Sequence, residues 1–177
     1  MKSLDRWPHG FTIVGEANVP RRVDDVFSFV QCKISEVYKK MSTGHEQFVV
    51  RGGGPLIPGA VVDCVEHAGN QRVVHVYKVH TVEPGVRIAY RSEPTLAYVK
   101  SGKKEIVFKS VSHVAYDFEA TPDGGCRFRL SIIIQLENSV IVFMNRMIGG
   151  FRPWQKHCAE EVACLAKILV EELVPAA

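Results

Sequence analysis

Apolar and polar residues alternate with a period of two through the middle of the chain and with a helical period on either side. Residues 11–17 alternate loosely and predict a strand that ends at Val19-Pro20. Val23, Val26, Phe27 and Val30 then fall at i, i+3, i+4 and i+7. Ile34, Val37, Tyr38 and Met41 carry that stripe towards Gly44, as one bent helix or two short ones. From there the period changes to two. Strands are predicted over 47–51, 60–67, 71–82, 86–92, 105–119 and 127–136, with a shorter apolar segment at 96–99. The breaks between them carry turn chemistry: Gly52-Gly53-Gly54-Pro55, Gly69-Asn70, Glu83-Pro84-Gly85 and Pro122-Asp123-Gly124-Gly125. On 71–82 the alternation places Val73, His75, Tyr77 and Val79 on one face, taken as inward. A one-residue slip would turn Lys78 and His80 inward instead.

The last segment opens at Asn138-Ser139, a suitable helix cap. Its apolar stripe is Val140, Phe143, Met144, Met147, Phe151, Trp154, Cys158, Val162, Leu165 and Leu169, interrupted by Gly149-Gly150 and Pro153, where a break or kink is expected. A sheet with one apolar face needs a cover. Roughly thirty helical residues span about 45 Å, so this segment is the cover long enough for it. The expected fold is α+β: a curved antiparallel sheet of about seven strands wrapped around a long C-terminal helix, with two short helices after the first strand. No repeat or linker divides the chain, and one domain over 1–177, with its core at about 10–173, is expected.

Composition narrows the function classes. The chain has 177 residues, 46% hydrophobic and 23% charged, enough for a sizeable core of its own. Its charge is +3, with basic pairs scattered at Arg21-Arg22, Lys39-Lys40 and Lys103-Lys104, which argues against nucleic acid as the main partner. Five cysteines without a Cys-x-x-Cys read as buried thiols in a reducing compartment. There is no apolar h-region at the N-terminus and no run of about eighteen apolar residues, so a cytoplasmic protein without stable membrane insertion is expected.

Several short features taken in order resemble the START-like polyketide cyclase/dehydrase superfamily, whose helix-grip fold is shared with the birch-pollen allergen. They are Val19-Pro20 before Val26-Phe27, Gly54-Pro55-Leu56 with Pro58-Gly59-Ala60, Val82-Glu83-Pro84-Gly85 with Ile88-Ala89-Tyr90, and the terminal Glu160-Glu161, Leu165 and Leu169. The resemblance covers about 11–173. It implies a cavity between sheet and last helix that takes a small hydrophobic ligand such as a polyketide, lipid or quinone. Carriers, aromatase/cyclases or dehydratases, and chaperone activators share this fold, so the resemblance implies no single activity.

Candidate residues follow from the predicted faces. His75, with Tyr77, Tyr90 and Tyr116 on neighbouring strands, could orient a carbonyl or act in acid–base chemistry, and His75 is the catalytic candidate. The alternative is that these rings are core residues with satisfied polar tips. Phe128 on its strand and Phe143, Met144, Met147, Phe151 and Trp154 on the helix would line the ligand cavity, or simply fill the core. His157 beside Cys158 does not suggest a nucleophile pair, because adjacent helical residues diverge by about 100°. The Gly52–Gly54 loop lacks the Lys-Ser/Thr of a phosphate loop and reads as a turn. Seven histidines show no His-x-x-x-His and no carboxylate at ligand spacing, so no metal and no cofactor are expected. Finally, 95–109 reads as a hairpin extension with apolar arms, which a second copy in a homodimer, a lid role, or the chain's own helix would have to bury.

Overall fold

The structure, a computed structural model, describes residues 7–101, 104–147 and 149–173. The elements run β1 (His9–Val19), α1 (Val23–Met41), β2 (His45–Val50), β3 (Val61–Ala68), β4 (Gln71–Glu83), β5 (Arg87–Ser92), β6 (Thr95–Ser101), β7 (Lys104–Ala120), β8 (Cys126–Leu136), α2 (Ser139–Met147) and α3 (Arg152–Glu172). The strands form one antiparallel sheet in the order β1-β8-β7-β5-β4-β3-β2, with β6 pairing both β4 and β7. Helices α1 and α3 pack on its inner face. Among the described residues no helix is long and apolar enough to cross a membrane.

The predicted faces explain how the layers meet. Helix α1 buries Val26, Phe27, Phe29, Val30, Ile34, Val37, Tyr38 and Met41, while Asp24 and Asp25 in its first turn and Lys39 and Lys40 in its last complement the helix dipole. Helix α3 buries Cys158, Val162, Leu165 and Leu169. Each such leucine contributes about 1.5–3 kcal/mol on leaving water. The approach of α3 to β1 depends on Gly15: a Cβ there would stand 2.6 Å from Val162 Cγ2 and 3.2 Å from Cys158 Sγ. Between β2 and β3, Gly52, Gly53 and Gly54 all take positive φ, a backbone that side chains strain. The same loop is tied to α1 by reciprocal bonds between Gln31 and Leu56.

Three details depart from the sequence expectation. The sheet has eight strands rather than about seven, because the apolar segment at 95–101 pairs along its length with β7 and through its middle, 97–99, with the start of β4. The stripe after β1 forms one 19-residue helix rather than two short ones; no glycine or proline interrupts it between Val23 and Met41. The closing stripe breaks at Gly149-Gly150 as expected, but the break makes two helices that face differently. Of nine residues in α2 only Val142 and Asn145 are buried. Val140, Phe143, Met144 and Met147 are 58–72% exposed.

A second, smaller core explains the hairpin of β6 and β7. Val73, Ala97, Phe108, Leu136 and Val142 pack together, with Ile134, Ile141 and Trp154 against them. The inward face of the hairpin is therefore covered by the chain's own α2. Leu96 and Val107 face outward. Gly102 and Lys103 at the tip lie outside the described residues, as do the side chains of 99–106.

Candidate functional site

The inner faces of β3 and β4 bring polar residues under the helices. In β3 the buried positions are Val62, Cys64, Glu66 and Ala68, and in β4 they are Gln71, Val73, His75, Tyr77 and Val79. His75, Tyr77, Tyr90 and Tyr116 are at most 3% exposed. Their rings touch in succession, with centroids 4.8 Å apart for His75–Tyr77, 4.9 Å for Tyr77–Tyr90 and 6.5 Å for Tyr90–Tyr116. Phe128 is wholly buried in the main core. Phe151 and Trp154 are half-buried at the start of α3, whereas Phe143, Met144 and Met147 stand on the outer side of α2 and are not gathered with the others.

Two spaces border this row of rings. One is a cleft beneath α2, with Phe11, Ile132 and Trp154 among its apolar walls and Glu66, His75 and Asn145 among its polar ones; the room open to water centres is about 30 Å³. The other lies among Tyr38, Tyr77, Tyr90, Tyr116 and Glu161 and offers about 20 Å³. Either holds a water or two. In the cleft, His75 Nδ1 and Asn145 Oδ1 are buried without a hydrogen-bond partner. Gln71 closes one end of it, accepting from Trp154 Nε1 at 2.8 Å and donating to the Gly150 carbonyl at 2.5 Å.

Beside the cleft lies a compact cluster of ionisable groups from three elements. His45 on β2 stands directly opposite Glu66 on β3 in the strand register, and α3 contributes His157 and Glu161, one turn apart. All four are buried, 3–8% exposed. His45 Nε2 and His157 Nε2 are 3.0 Å apart, His157 Nε2 lies 3.4 Å from Glu66 Oε2, and His45 Nε2 lies 3.7 Å from Glu161 Oε2. His75 Nε2 is 3.8 Å from the other oxygen of Glu66. Around them, His45 Nδ1 contacts the Tyr38 carbonyl at 2.7 Å and His157 Nδ1 contacts Ser42 Oγ at 3.1 Å. The Tyr38 hydroxyl donates to Glu66 and the Tyr116 hydroxyl to Glu161, at 3.2 and 3.0 Å.

The tautomers follow from these partners. A carbonyl can only accept, so His45 Nδ1 carries a proton, and in the neutral ring Nε2 is a bare lone pair facing His157. Burial alone would raise the Glu66 pKa, but the bond from His157 and the charges of His75, His157 and His45 outweigh it and hold the carboxyl low. Burial, together with the Glu66 charge, pushes Glu161 the other way. Burial also lowers His75, against the pull of Glu66. For His157 burial is outweighed by Glu66, and its pKa rises.

Sequence reasoning singles out His75 and the tyrosines but misses this cluster. The expectation that no histidine has a carboxylate at ligand spacing fails, because His157 and Glu161 are four apart on one helix. Both are polar residues on the buried side of an otherwise apolar stripe, which was the available signal. His45 and Glu66 carried none, because their opposition depends on the β2–β3 register.

Comparisons agree with this architecture. No family model and no curated protein matches the chain. Among solved structures it is similar to TTHA0849 from Thermus thermophilus, at 13% identity and TM-score 0.67 over 93% of this chain and 100% of that one. It is similar to Ara h 8.0201 at 13% identity and TM-score 0.56, over 91% and 98%. It also matches the di-domain ARO/CYC StfQ from the steffimycin biosynthetic pathway at 12% identity and TM-score 0.56, covering 90% of this chain and 45% of that one. The chain therefore has the helix-grip fold expected from its sequence.

Proposed function

We propose that the chain binds a small, mostly apolar molecule carrying a hydrogen-bonding group, of polyketide, lipid or quinone type, in the cleft beneath α2. The observation that carries this reading is the pair of partnerless polar atoms, His75 Nδ1 and Asn145 Oδ1, within mostly apolar walls. A buried unpaired group costs about 1–3 kcal/mol, and a ligand that pairs it recovers that cost on binding. The fold it shares with Ara h 8.0201 and StfQ is compatible with such a site. The space of about 30 Å³ is too small for such a molecule as it stands. Uptake therefore requires α2, which is held by two buried side chains and by Arg146 on the Gly10 carbonyl, to swing outward.

The test is titration of the purified chain with an apolar fluorescent probe, followed by displacement with a long-chain fatty acid or a polycyclic aromatic. Ser110→Leu fills the cleft wall and Asn145→Ala removes an anchor; each is expected to weaken binding by about tenfold, the equivalent of one hydrogen bond or so. Met147→Trp, on the exposed side of α2, should leave it unchanged. Absence of stoichiometric probe binding by the wild type would reject the reading. It would leave an interaction-module role, which the exposed Phe143, Met144 and Met147 favour.

An aromatase/cyclase or dehydratase acting in the same cleft is the second reading, favoured by one observation: a Glu66 oxygen lies 3.8 Å from His75 Nε2, near enough for its charge to act on the ring. If His75 is a general base, His75→Gln should lower turnover of a cyclisable substrate by roughly a hundredfold with affinity within a few-fold. Equal losses in affinity and none in turnover would reduce His75 to an anchor.

A further inference from the structure

We propose that His45, Glu66 and His157 form a site for one divalent first-row transition-metal ion, with Glu161 bordering the open position. Their ligand atoms, His Nε2 twice and a Glu66 oxygen, lie within 4.8 Å of one another. Bonds of about 2.0–2.2 Å at tetrahedral angles place neighbouring ligand atoms roughly 3.3 Å apart. The His45–His157 and His157–Glu66 separations, 3.0 and 3.4 Å, bracket that value. Three protein ligands with a fourth position left free is the arrangement of zinc sites that keep a water or substrate atom on the metal.

The surroundings match what metal-bound imidazoles require. Each ring's other nitrogen has a partner: the Tyr38 carbonyl fixes the tautomer of His45, and the Ser42 hydroxyl is compatible with a proton on His157 Nδ1. Ser42 Oγ can accept from His157 Nδ1, which leaves both Nε2 lone pairs facing a common point. The Glu66 carboxylate is held by the Tyr38 hydroxyl, and Glu161 by Tyr116. Among the described residues, the ion-pair partners of Glu66 and Glu161 are histidines alone. Two buried carboxylates with no lysine or arginine as an ion-pair partner are costly unless something else supplies positive charge. A single divalent ion does so where otherwise the cluster must hold shared protons.

A surface groove edged by Ser42, Gly44, His67, Pro153 and Glu160 reaches the His157 ring. Glu66, by contrast, borders both the metal cluster and the cleft. Metal binding can be tested apart from ligand uptake, since its ligand atoms differ from His75 Nδ1 and Asn145 Oδ1.

The experiment uses the full chain purified without a histidine tag and stripped with a chelator. Zn²⁺ titrated by calorimetry is expected to bind at one equivalent and to raise the melting temperature; Co²⁺ should give the visible absorption of a four- or five-coordinate nitrogen–oxygen site. His45→Gln and His157→Gln should each abolish both signals, while Glu161→Gln retains the metal with a changed Co²⁺ spectrum. If the glutamine variants fail to fold, the wild-type Co²⁺ spectrum and stoichiometry decide alone. No uptake by the wild type, a six-oxygen type of spectrum, or Zn²⁺ binding that survives His45→Gln and His157→Gln in folded protein would overturn the assignment.

Discussion

At the scale of single residues, the cluster is held by contacts too close to tolerate change. A Cβ on Gly44 would lie 2.1 Å from the His67 carbonyl oxygen and 2.8–2.9 Å from the His157 ring. Backbone cannot retreat as a flexible side chain can, so Gly44→Ala is expected to destabilise the chain by about 3 kcal/mol, the upper end of overpacking effects, and to displace His157. Urea denaturation would measure the first and Zn²⁺ titration the second. Gly52→Ala serves as a comparison: nothing lies within 4 Å of its would-be Cβ, so only its positive φ resists. Tyr116 offers a cleaner probe of the polar network. Tyr116→Phe keeps the ring in the core but removes the donor to Glu161 Oε1, leaving a buried acceptor unpaired. A loss of about 1–3 kcal/mol in chemical denaturation is expected, and a neutral result would mean that water already serves that oxygen.

At the scale of elements, α2 is the least anchored described helix. Amide exchange follows local opening, which costs little where few side chains are buried. Helix α2 buries two of its nine residues, whereas α3 buries Cys158, Val162, Leu165 and Leu169 together with His157 and Glu161. Amides of α2 should therefore exchange well before those of α3, and a ligand in the cleft should slow α2 selectively through Asn145. Uniform exchange across both helices would remove α2 as the moving wall. The same contrast explains what was legible in the sequence. Strand alternation gave β4 its faces because a period of two leaves no freedom once one residue is inward. The break at Gly149-Gly150 was equally plain. The facing of α2 was not: along the sequence its apolar residues continue the stripe of α3, but the break at the glycines, with Gly149 at positive φ, uncouples the facing of the short helix from that of α3. Its orientation is set by Val142 in the hairpin core and by Arg146 reaching β1, partners far away in sequence.

At the scale of the whole molecule, the cleft was half legible and the cluster was not. His75 could be found because its strand alternates; the joining of His45 and Glu66 to His157 and Glu161 requires the β2–β3 register and the docking of α3, with the two histidines 112 positions apart in the chain. Whether that assembly behaves as one cooperative unit can be read from its cysteines. Cys32 is exposed and Cys164 half-buried, while Cys64 on β3, Cys126 on β8 and Cys158 on α3 are buried. Their burial makes them inert until the structure around them opens. A thiol reagent in excess should modify Cys32 at once and Cys164 more slowly. If β3, β8 and α3 open only together, Cys64, Cys126 and Cys158 should react at a common slow rate that rises in parallel with urea. Mass spectrometry of timed samples resolves the three sites. Early labelling of Cys158 alone would mean that α3 lifts from the sheet as a separate unit. Because Cys158 lies on Gly15 and beside His157, that motion would open the polar cluster and the sheet face together.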